Sequence, residues 1–295
     1  MGRHLRGIGS LLTGGLIVAG MLAIDARAQN QSVQLPTDIP NIRHNIGQSV
    51  VPYFEGWIRN ADGTLDMVFG YFNRNYVQEF AIPAGPNNKV EPGAVDQGQP
   101  TYFLPRRQRY VYRVRVPADF GDKEVVWTIT ANGRTENGYG KLIPPQEITE
   151  RVIMTNGNFD PGLDDPNMPP SIKIAPLASV TPGTPVTLTA LVTDDGLPKP
   201  RLVAPAAPKP TAPGGFGAQI NSSATPTPRG LTVTWLQYSG PAKVTFANTG
   251  AIPVSNGQAM TTATFTAPGA YKLIASAVDP GRLSTNVALT VQVMK

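Results

Sequence analysis

The sequence has no cysteine and only two histidines, His4 and His44. A chain without cysteine has no disulfides, no cysteine-ligated zinc and no thiol nucleophile, so packing and strand pairing must supply its stability. A Ser-His-Asp triad would have to use His44, because His4 lies in the leader segment, and no nucleophile-elbow motif accompanies it. One histidine also cannot build a metal cluster. We therefore expect a protein that is not an enzyme.

Long apolar runs are absent as well, apart from Leu11–Ile24. That run follows Arg3 and Arg6 and precedes Ala26-Arg27-Ala28, which is the three-part pattern of a secretory signal peptide over residues 1–28. Its 14 residues include three glycines, and it falls short of the roughly 20 apolar residues that span a bilayer. We expect cleavage after Ala28, export to the periplasm, outer surface or extracellular space, and no transmembrane segment after signal cleavage. Export without cysteine favours a bacterial envelope protein.

The C-terminal half of the sequence also lacks a cluster of basic residues. The net charge is +5 at pH 7, but the basic residues of that half are scattered singly. Nucleic-acid-binding domains concentrate Lys and Arg on one face or along one helix. We expect no nucleic acid partner, and we interpret the charge as a source of solubility and weak surface attraction.

The sequence does contain a series of short β-rich runs broken by turn residues, which begins near Val50 after a flexible arm at 29–48. This spacing is typical of an antiparallel β-sandwich, and it predicts a first module of no family we can name at 49–155. Asn60-Ala61-Asp62-Gly63 and Asn132-Gly133 are turn sequences. The expected strands are Val51–Arg59, Thr64–Asn73, Gln78–Ile82, Arg109–Val116, Glu124–Ala131, Tyr139–Ile143 and Thr149–Met154.

The strand Thr64–Asn73 has apolar side chains on both faces, with Val68 and Phe72 opposite four others. Two-sided burial predicts a central strand, and it leaves Arg74 and Tyr76, just after the strand, as positions that reach a partner. In Arg109–Val116, apolar and arginine side chains alternate. We therefore expect one face of that strand in the core and the other in solvent.

A linker of Asp, Asn and Pro at 156–170 separates this module from a second one at 171–295. The second module contains a Pro-rich loop at 196–230, which we expect to be disordered. Seven short strands with a core Trp235 on the third match an immunoglobulin-like sandwich. The predicted fold is all-β, with two immunoglobulin-like antiparallel β-sandwiches after a signal peptide. The strands are Ser171–Ala175, Val186–Thr193, Leu231–Gln237, Ala242–Ala247, Ala259–Thr266, Ala270–Val278 and Val287–Val293.

The second module resembles the PKD-like immunoglobulin-like repeats of bacterial surface and secreted proteins over about residues 171–293. The motifs that carry the resemblance are Gly183-Thr184-Pro185-Val186, Asp194-Asp195-Gly196-Leu197-Pro198, Val233-Thr234-Trp235, Ser239-Gly240-Pro241, Ala267-Pro268-Gly269-Ala270-Tyr271 and Ala277-Val278-Asp279. The resemblance implies a spacer or a module that contacts proteins and sugars, and not an enzyme. The chain departs from the pattern before the last strand, where the acidic residue that is often found there is absent and Asn286 and Ala288 lie nearby.

Calcium is the one ion that the acidic residues suggest, since it takes six to eight oxygen ligands. The linker supplies one set of carboxylates, and the resemblance implies a second set at one end of the second sandwich. The alternative for both is a solvated acidic loop. The candidate ligands are Asp160, Asp164, Asp165, Asp194, Asp195 and Asp279.

Arginines and aromatics of the first module suggest a partner surface. Tyr102 and Phe103 precede an arginine-rich strand, and such a face suits an anionic polysaccharide or an acidic partner. The alternative is an edge strand that uses its charge against aggregation. The arginines are Arg106, Arg107, Arg109, Arg113 and Arg115.

The sequence thus favours a non-enzymatic envelope or secreted protein that serves as a structural or interaction module, with an envelope protein or polysaccharide as partner. A second hypothesis is a carbohydrate-binding accessory protein that uses the aromatics and arginines of the first module. A third is a hydrolase in which Glu55 pairs with Glu79 or Asp66.

Overall fold

The structure, a computed structural model, describes residues 43–158, 166–177, 180–199 and 230–294. All of these residues belong to one compact unit, Arg43–Lys295. The predicted signal peptide, most of the arm, most of the Pro-rich loop, and Asp160, Asp164 and Asp165 lie outside the described residues. The described chain is almost entirely antiparallel β-structure, and its buried apolar side chains form two separate cores.

The first sandwich packs a three-stranded sheet, ordered β1-β2-β6, against another, ordered β4-β7-β8, and a two-stranded ribbon, β3-β5, lies beside them. Inward-facing residues of both sheets alternate with outward-facing ones, as the strand period requires. The strands are β1 (Val50–Arg59), β2 (Leu65–Asn73), β3 (Phe80–Ala81), β4 (Asn88–Glu91), β5 (Tyr102–Phe103), β6 (Arg106–Val116), β7 (Glu124–Ala131) and β8 (Arg134–Lys141).

Strand β2 is central, as its sequence predicted. It pairs with β1 on one side and β6 on the other, and nearly all of its residues are buried. Phe69 is fully buried in the core, and Tyr71 almost fully. These rings therefore stabilise the sandwich and do not contact a partner.

The prediction that Thr149–Met154 forms the last strand of the first module is wrong. The chain forms a 3₁₀ turn at Pro144–Gln146 and a short helix α1 (Glu150–Met154) instead. Pro144 and Pro145 have no N–H to donate to a strand ladder, which stops the sheet after β8. Ile148 still donates a backbone hydrogen bond to Trp57 O at 2.9 Å, so the segment stays against the edge of β1.

The second sandwich also has two sheets, ordered β12-β14-β10-β9 and β13-β11-β15-β16. The core Trp235 that the sequence predicted is confirmed, since this side chain is buried in the second core. The strands are β9 (Ser171–Ile174), β10 (Val186–Thr193), β11 (Thr232–Ser239), β12 (Val244–Phe246), β13 (Ile252–Pro253), β14 (Gln258–Phe265), β15 (Gly269–Val278) and β16 (Ser284–Val293).

The two sandwiches share one strand order. In each, the first, second and fourth principal strands form one sheet (β1-β2-β6 and β9-β10-β14), while the third, fifth and sixth form the other (β4-β7-β8 and β11-β15-β16). This is the arrangement of strands A-B-E and C-F-G in the immunoglobulin fold, and β12 takes the place of strand D. The predicted all-β fold with two immunoglobulin-like sandwiches is confirmed.

Direct hydrogen bonds join the sandwiches. Tyr238 donates its hydroxyl to Gly98 O at 2.7 Å, and its own carbonyl accepts from Thr101 N at 3.1 Å. Ser284 Oγ donates to Met154 O at 2.8 Å. These contacts leave a cleft between β6 of the first sandwich and the outer face of β11, β15 and β16. Among the described residues, no helix has the length and apolar character needed to cross a membrane.

Candidate binding surfaces

The chain segment that leaves β2 is held in a fixed shape by two buried asparagines. Asn75 Nδ2 donates to Gln48 O at 2.9 Å, and Gln48 N donates back to Asn75 Oδ1 at 2.8 Å. Asn73 Nδ2 donates to Gln78 O at 2.7 Å. Both asparagine side chains are fully buried, so the segment that carries Arg74 and Tyr76 is rigid in spite of being a loop.

Guanidinium groups and aromatic rings alternate on this part of the surface. Arg106 Cζ lies 4.0 Å from the centroid of the Tyr76 ring and 4.7 Å from that of Phe72. Arg107 Cζ lies 4.5 Å from the Tyr53 ring, and Arg43 Cζ lies 5.4 Å from the Tyr76 ring. Such contacts are cation–π interactions. We call this surface the ladder, and it consists of Arg43, Tyr53, Phe72, Tyr76, Arg106 and Arg107.

Strand register builds the ladder. Phe72 of β2 pairs with Val51 of β1 on one side and with Arg107 of β6 on the other. Arg106 has a φ of 67°, a left-handed conformation that an arginine seldom adopts. Tyr53 and Tyr76 remain 36% and 37% exposed. The ladder is therefore a solvent-facing part of the β1-β2-β6 sheet, continued by the loop after β2.

The charges of the ladder are only partly neutralised. Arg107 forms an ion pair with Glu55 at 2.8 Å, and the neighbouring Arg74 lies 3.8 Å from Glu136. Arg106 donates to a neutral acceptor, the carbonyl of Arg74, at 3.3 Å. Neither Arg106 nor Arg43 forms an ion pair with any described carboxylate.

The predicted basic face does not extend along the whole of β6, because Arg113 and Arg115 are paired. Arg115 contacts both carboxylate oxygens of Asp66, at 2.9 and 3.3 Å. Arg113 contacts both oxygens of Glu150, at 2.5 and 2.8 Å. Helix α1, which supplies Glu150, was not predicted by the sequence. These two arginines stabilise the first sandwich and leave little free charge for a partner.

Asp66 is a buried carboxylate at the centre of this network, with 5% of its surface exposed. Burial alone would raise its pKa. Hydrogen bonds from Arg115 and Asn60 and the charges of Arg115 and Arg113 outweigh burial, so the pKa of Asp66 lies below its ordinary value of 3.8. Asp66 is therefore ionised and fully engaged in the fold.

Tyr102 and Phe103 were predicted to lie on the partner surface, and this prediction is wrong. Phe103 is fully buried, and Tyr102 is 5% exposed. The Phe103 ring packs edge-on against Tyr71 with centroids 5.0 Å apart, and the Tyr102 hydroxyl donates to Glu79. Phe103 belongs to the first core, whereas Tyr102, its neighbour on the opposite face of β5, is buried beside Glu79.

A bulge interrupts β6 beside the ladder. Phe69 pairs with Tyr112 and Tyr71 pairs with Gln108, so three residues of β6, Arg109–Val111, lie opposite Gly70 alone. A Cβ on Gly70 would lie 2.5 Å from Gln108 O, which explains why glycine occupies this position. Bulges redirect side chains out of the regular alternation.

The bulge turns Arg109 and Tyr110 towards the cleft between the sandwiches. The cleft has a volume of about 880 Å³. Arg109 Nη1 donates to Asn156 O at 3.2 Å. Across the cleft, the second sandwich contributes Arg282 and Ser284. The sequence placed Arg109 on a simple alternating strand and gave no sign of Arg282, because nothing local marks two residues from different modules as neighbours.

The predicted carboxylates of the second sandwich make structural hydrogen bonds. Asp279 accepts from Leu283 N and from Asn167 Nδ2, both at 2.8 Å. Asp195 accepts from Met168 N and Leu197 N, also at 2.8 Å. These bonds attach the end of the linker to the second sandwich.

The geometry does not gather these carboxylates into a metal site. In the described ranges, no group of three or more Asp, Glu or His side chains is placed to hold a metal ion. The prediction that Asp194, Asp195 and Asp279 form a calcium site is therefore not supported. The prediction for Asp160, Asp164 and Asp165 falls on residues outside the described part of the chain.

Comparison with known proteins adds little to this picture. No protein-family model and no curated protein matches the chain. Solved structures that resemble it include a conjugative transposon lipoprotein from Bacteroides eggerthii (14% identity, 42% of this chain and 96% of that one, TM-score 0.26). Others are the D00-D0 domain of intimin (11%, 84% and 100%, TM-score 0.26) and the adhesin InvE of Yersinia pseudotuberculosis (12%, 84% and 59%, TM-score 0.24). Similarities this low carry no argument about function.

Proposed function

We propose that this protein is an exported, non-catalytic interaction module and that the ladder binds an anionic polysaccharide of the bacterial envelope. The observation that carries the proposal is the pair Arg43 and Arg106. Both guanidinium groups lie over the exposed Tyr76 ring, and neither forms an ion pair with a described carboxylate. A planar guanidinium is the side chain best suited to bind carboxylate or sulfate groups in two places at once.

Preorganisation supports this role. A free arginine on a protein surface loses side-chain entropy when it binds a partner. In the ladder the rings of Tyr76 and Phe72 already restrict Arg106, and the buried Asn75 fixes the loop that carries Tyr76. Part of the entropic cost of binding is therefore met when the chain folds.

The occupied ring faces favour an anionic sugar over a neutral one. A neutral sugar stacks on an open aromatic face, but guanidinium groups lie over the exposed Tyr53 and Tyr76 rings. Tyr71, Tyr102 and Phe103, which would have provided further stacking platforms, are buried. The aromatic rings thus serve as supports for positive charge, and the bound groups of the polymer are its negative charges.

The carboxylates required by the hydrolase hypothesis already have other partners. Glu55 is paired with Arg107, Asp66 with Arg115, and Glu79 with Lys243 at 2.8 Å. A general acid needs a carboxyl whose pKa is raised towards neutrality, whereas the pKa of Asp66 is lowered. These contacts support a binding role over hydrolysis.

Retention on a polygalacturonate resin under a salt gradient tests the proposal. The variant Arg43→Gln/Arg106→Gln removes two positive charges from the ladder and should elute at about half the salt concentration of the wild type, because surface attraction is screened within about 8 Å at physiological ionic strength. Glutamine is shorter than arginine but keeps a polar group that donates hydrogen bonds. The matched control is Arg59→Gln/Lys123→Gln, which removes the same charge near the opposite end of the sandwich and should shift elution much less.

Equal shifts for the two double variants would show that net charge, and not the ladder, governs retention, and would overturn the proposal. If the wild type is not retained by polygalacturonate but is retained by succinylated albumin, an acidic protein replaces the polysaccharide as partner. Melting temperatures of both variants within a few degrees of the wild type establish that any loss of retention is not a loss of fold.

A further inference from the structure

The cleft between the sandwiches differs in kind from the ladder, because both sandwiches build it. One wall is the bulge of β6 with Arg109 and Tyr110, continued by Asn156 after helix α1. The other wall is the outer face of β11, β15 and β16, together with the turn that carries Arg282. Hydrogen bonds from Tyr238 and Ser284 hold the two walls at a fixed separation.

The described residues that line the cleft include four arginines and no Asp or Glu. Two of the arginines, Arg107 and Arg113, are paired with Glu55 and Glu150 from outside the lining. Arg109 donates to the carbonyl of Asn156 and hydrogen-bonds the side chain of Tyr110, which are both neutral groups, and Arg282 forms no ion pair with a described carboxylate. The cleft therefore presents positive charge from both walls without a matching negative charge of its own.

Backbone strain is concentrated in the same places. Six described residues other than glycine have a positive φ, and three of them are asparagines, which tolerate it. The other three are Arg106 in the ladder and Tyr110 and Arg282 in the cleft, with φ values of 67°, 52° and 75°. Residues held in this conformation cost free energy and are found preferentially at binding sites, where the strain fixes a side chain in its working position.

We infer that the cleft is a second binding site, which takes a short carboxylate-bearing oligosaccharide and holds its carboxylate with Arg109 and Arg282. The volume of about 880 Å³ lies within the range of small-ligand sites. The remaining lining is rich in amides and hydroxyls, among them Asn156, Asn286 and Ser276. Such groups match the hydroxyls of a sugar ring.

An acidic peptide fits the cleft less well. Peptides bind sandwiches most readily by adding a strand to a sheet edge. Strand β6 is an edge strand of its sheet, but its bulge at Arg109–Val111 breaks the regular row of backbone donors and acceptors that an added strand needs. Recognition at this wall therefore has to use side chains, which favours a sugar acid.

Titration calorimetry on the whole chain tests the inference, with trigalacturonate as the probe and uncharged galactotriose as its neutral counterpart. Arg109→Gln and Arg282→Asn should each weaken trigalacturonate binding about tenfold or more, since each removes a charge-assisted hydrogen bond. Asparagine tolerates the left-handed backbone at position 282. Lys173→Gln, which removes one charge from an exposed position on β9, is the control and should leave the affinity within about twofold of the wild type.

The ladder variant Arg43→Gln/Arg106→Gln separates this inference from the proposed function. It should elute from the polymer at a lower salt concentration than the wild type and keep the affinity for trigalacturonate. The inference is overturned if the wild type does not bind trigalacturonate, if neither cleft variant weakens binding, or if galactotriose binds equally well. Hexaglutamate that binds more tightly than trigalacturonate, with the same loss in both cleft variants, would replace the sugar acid with an acidic peptide.

Discussion

The two sandwiches share a strand order but fill it with different cores. In the first, large rings meet one another around Trp127, whose ring contacts those of Phe69, Phe103 and Tyr112. In the second, the described ring contacts are limited to the pair Phe265 and Tyr271, and small side chains such as Ala275 and Ala277 are fully buried. One topology therefore tolerates two quite different ways of filling the space between its sheets.

The comparison also shows where binding features arise. The ladder and the β6 wall of the cleft lie on the sandwich with bulges in both β1 and β6. In the second sandwich the described strand pairings have a single irregularity, between Gln237 and Ser239 of β11. Regular alternation sends each side chain either to the core or to solvent, and a bulge changes which side chains share a face.

The largest expected difference between the sandwiches is at their tryptophans. Trp127 Nε1 donates to the buried Asn88 Oδ1 at 2.9 Å, whereas Trp235 Nε1 has no hydrogen-bond partner in the described structure. Trp127→Phe leaves a buried acceptor unpaired, and Trp235→Phe does not. We expect Trp127→Phe to lower the free energy of unfolding by about 1–3 kcal/mol more than Trp235→Phe.

Urea denaturation of both variants measures this difference. Equal losses would mean that ring packing alone stabilises the first core, and the contrast drawn between the two cores would then fail. Trp127→Phe leaves the hydrogen bonds from Asn88 Nδ2 to Ile82 O and Pro100 O in place. The loss that this variant causes therefore reports the unpaired Asn88 Oδ1 and the change of ring.

The sandwiches also differ in the sign of the pH effect at a buried carboxylate. Burial raises the pKa of Asp279 above 3.8, and the nearby charge of Asp194 adds to this, whereas the pKa of Asp66 is lowered. A lowered pKa contributes stability that is present above pH 3.8 and is lost as the pH falls through the folded-state pKa. A raised pKa contributes stability that is fully present below pH 3.8 and is lost as the pH rises through the folded-state pKa.

Asp66→Asn and Asp279→Asn should therefore show opposite trends. The stability advantage of the wild type over Asp66→Asn should grow as the pH rises from about 2 to 5, and reach about 1–3 kcal/mol at neutral pH. Its advantage over Asp279→Asn should shrink as the pH rises from about 3 to 6. Parallel trends in unfolding measured over this pH range would contradict the assignment of opposite environments.

Features that depend on residues close together in the sequence could be predicted, and features that depend on residues far apart in the sequence could not. Alternation placed β2 at the centre of its sheet and Trp235 in a core, because both depend on neighbours within one strand. It misplaced Tyr102 and Phe103, since two residues of β5 are too few to show a period. The ladder depends on register between β1, β2 and β6, and the cleft depends on contacts between sandwiches, which no local pattern encodes.

The sequence predicts a strand at Thr149–Met154, but the structure has helix α1 there, and this difference has a similar cause. The β-branched residues Thr149, Val152 and Ile153 favour a strand locally. The segment follows Pro144 and Pro145, which have no N–H to donate to a neighbouring strand, and these prolines end the sheet before it. The helix instead places Glu150 against Arg113, and tertiary contact outweighs local propensity.

The smallest expected effect concerns the contacts that join the sandwiches. Lys243 and Glu79 form an ion pair across the interface, but Lys243 is largely exposed, and exposed pairs contribute about 0–1 kcal/mol. Lys243→Gln should therefore change the melting temperature by little. Tyr238→Phe removes the buried hydrogen bond to Gly98 O and should cost about 1 kcal/mol more than Lys243→Gln.

Calorimetric unfolding measures both effects and also reports whether the sandwiches unfold together. Tyr238→Phe keeps the backbone bond from Thr101 N to Tyr238 O, so any splitting of the transition comes from the lost hydroxyl alone. If Lys243→Gln proves the more damaging of the two, exposed charge and not the buried hydroxyl joins the sandwiches. The cleft walls would then be held by an interaction that salt weakens. The affinity of the cleft for its ligand would in that case fall with ionic strength more steeply than the screening of Arg109 and Arg282 alone explains.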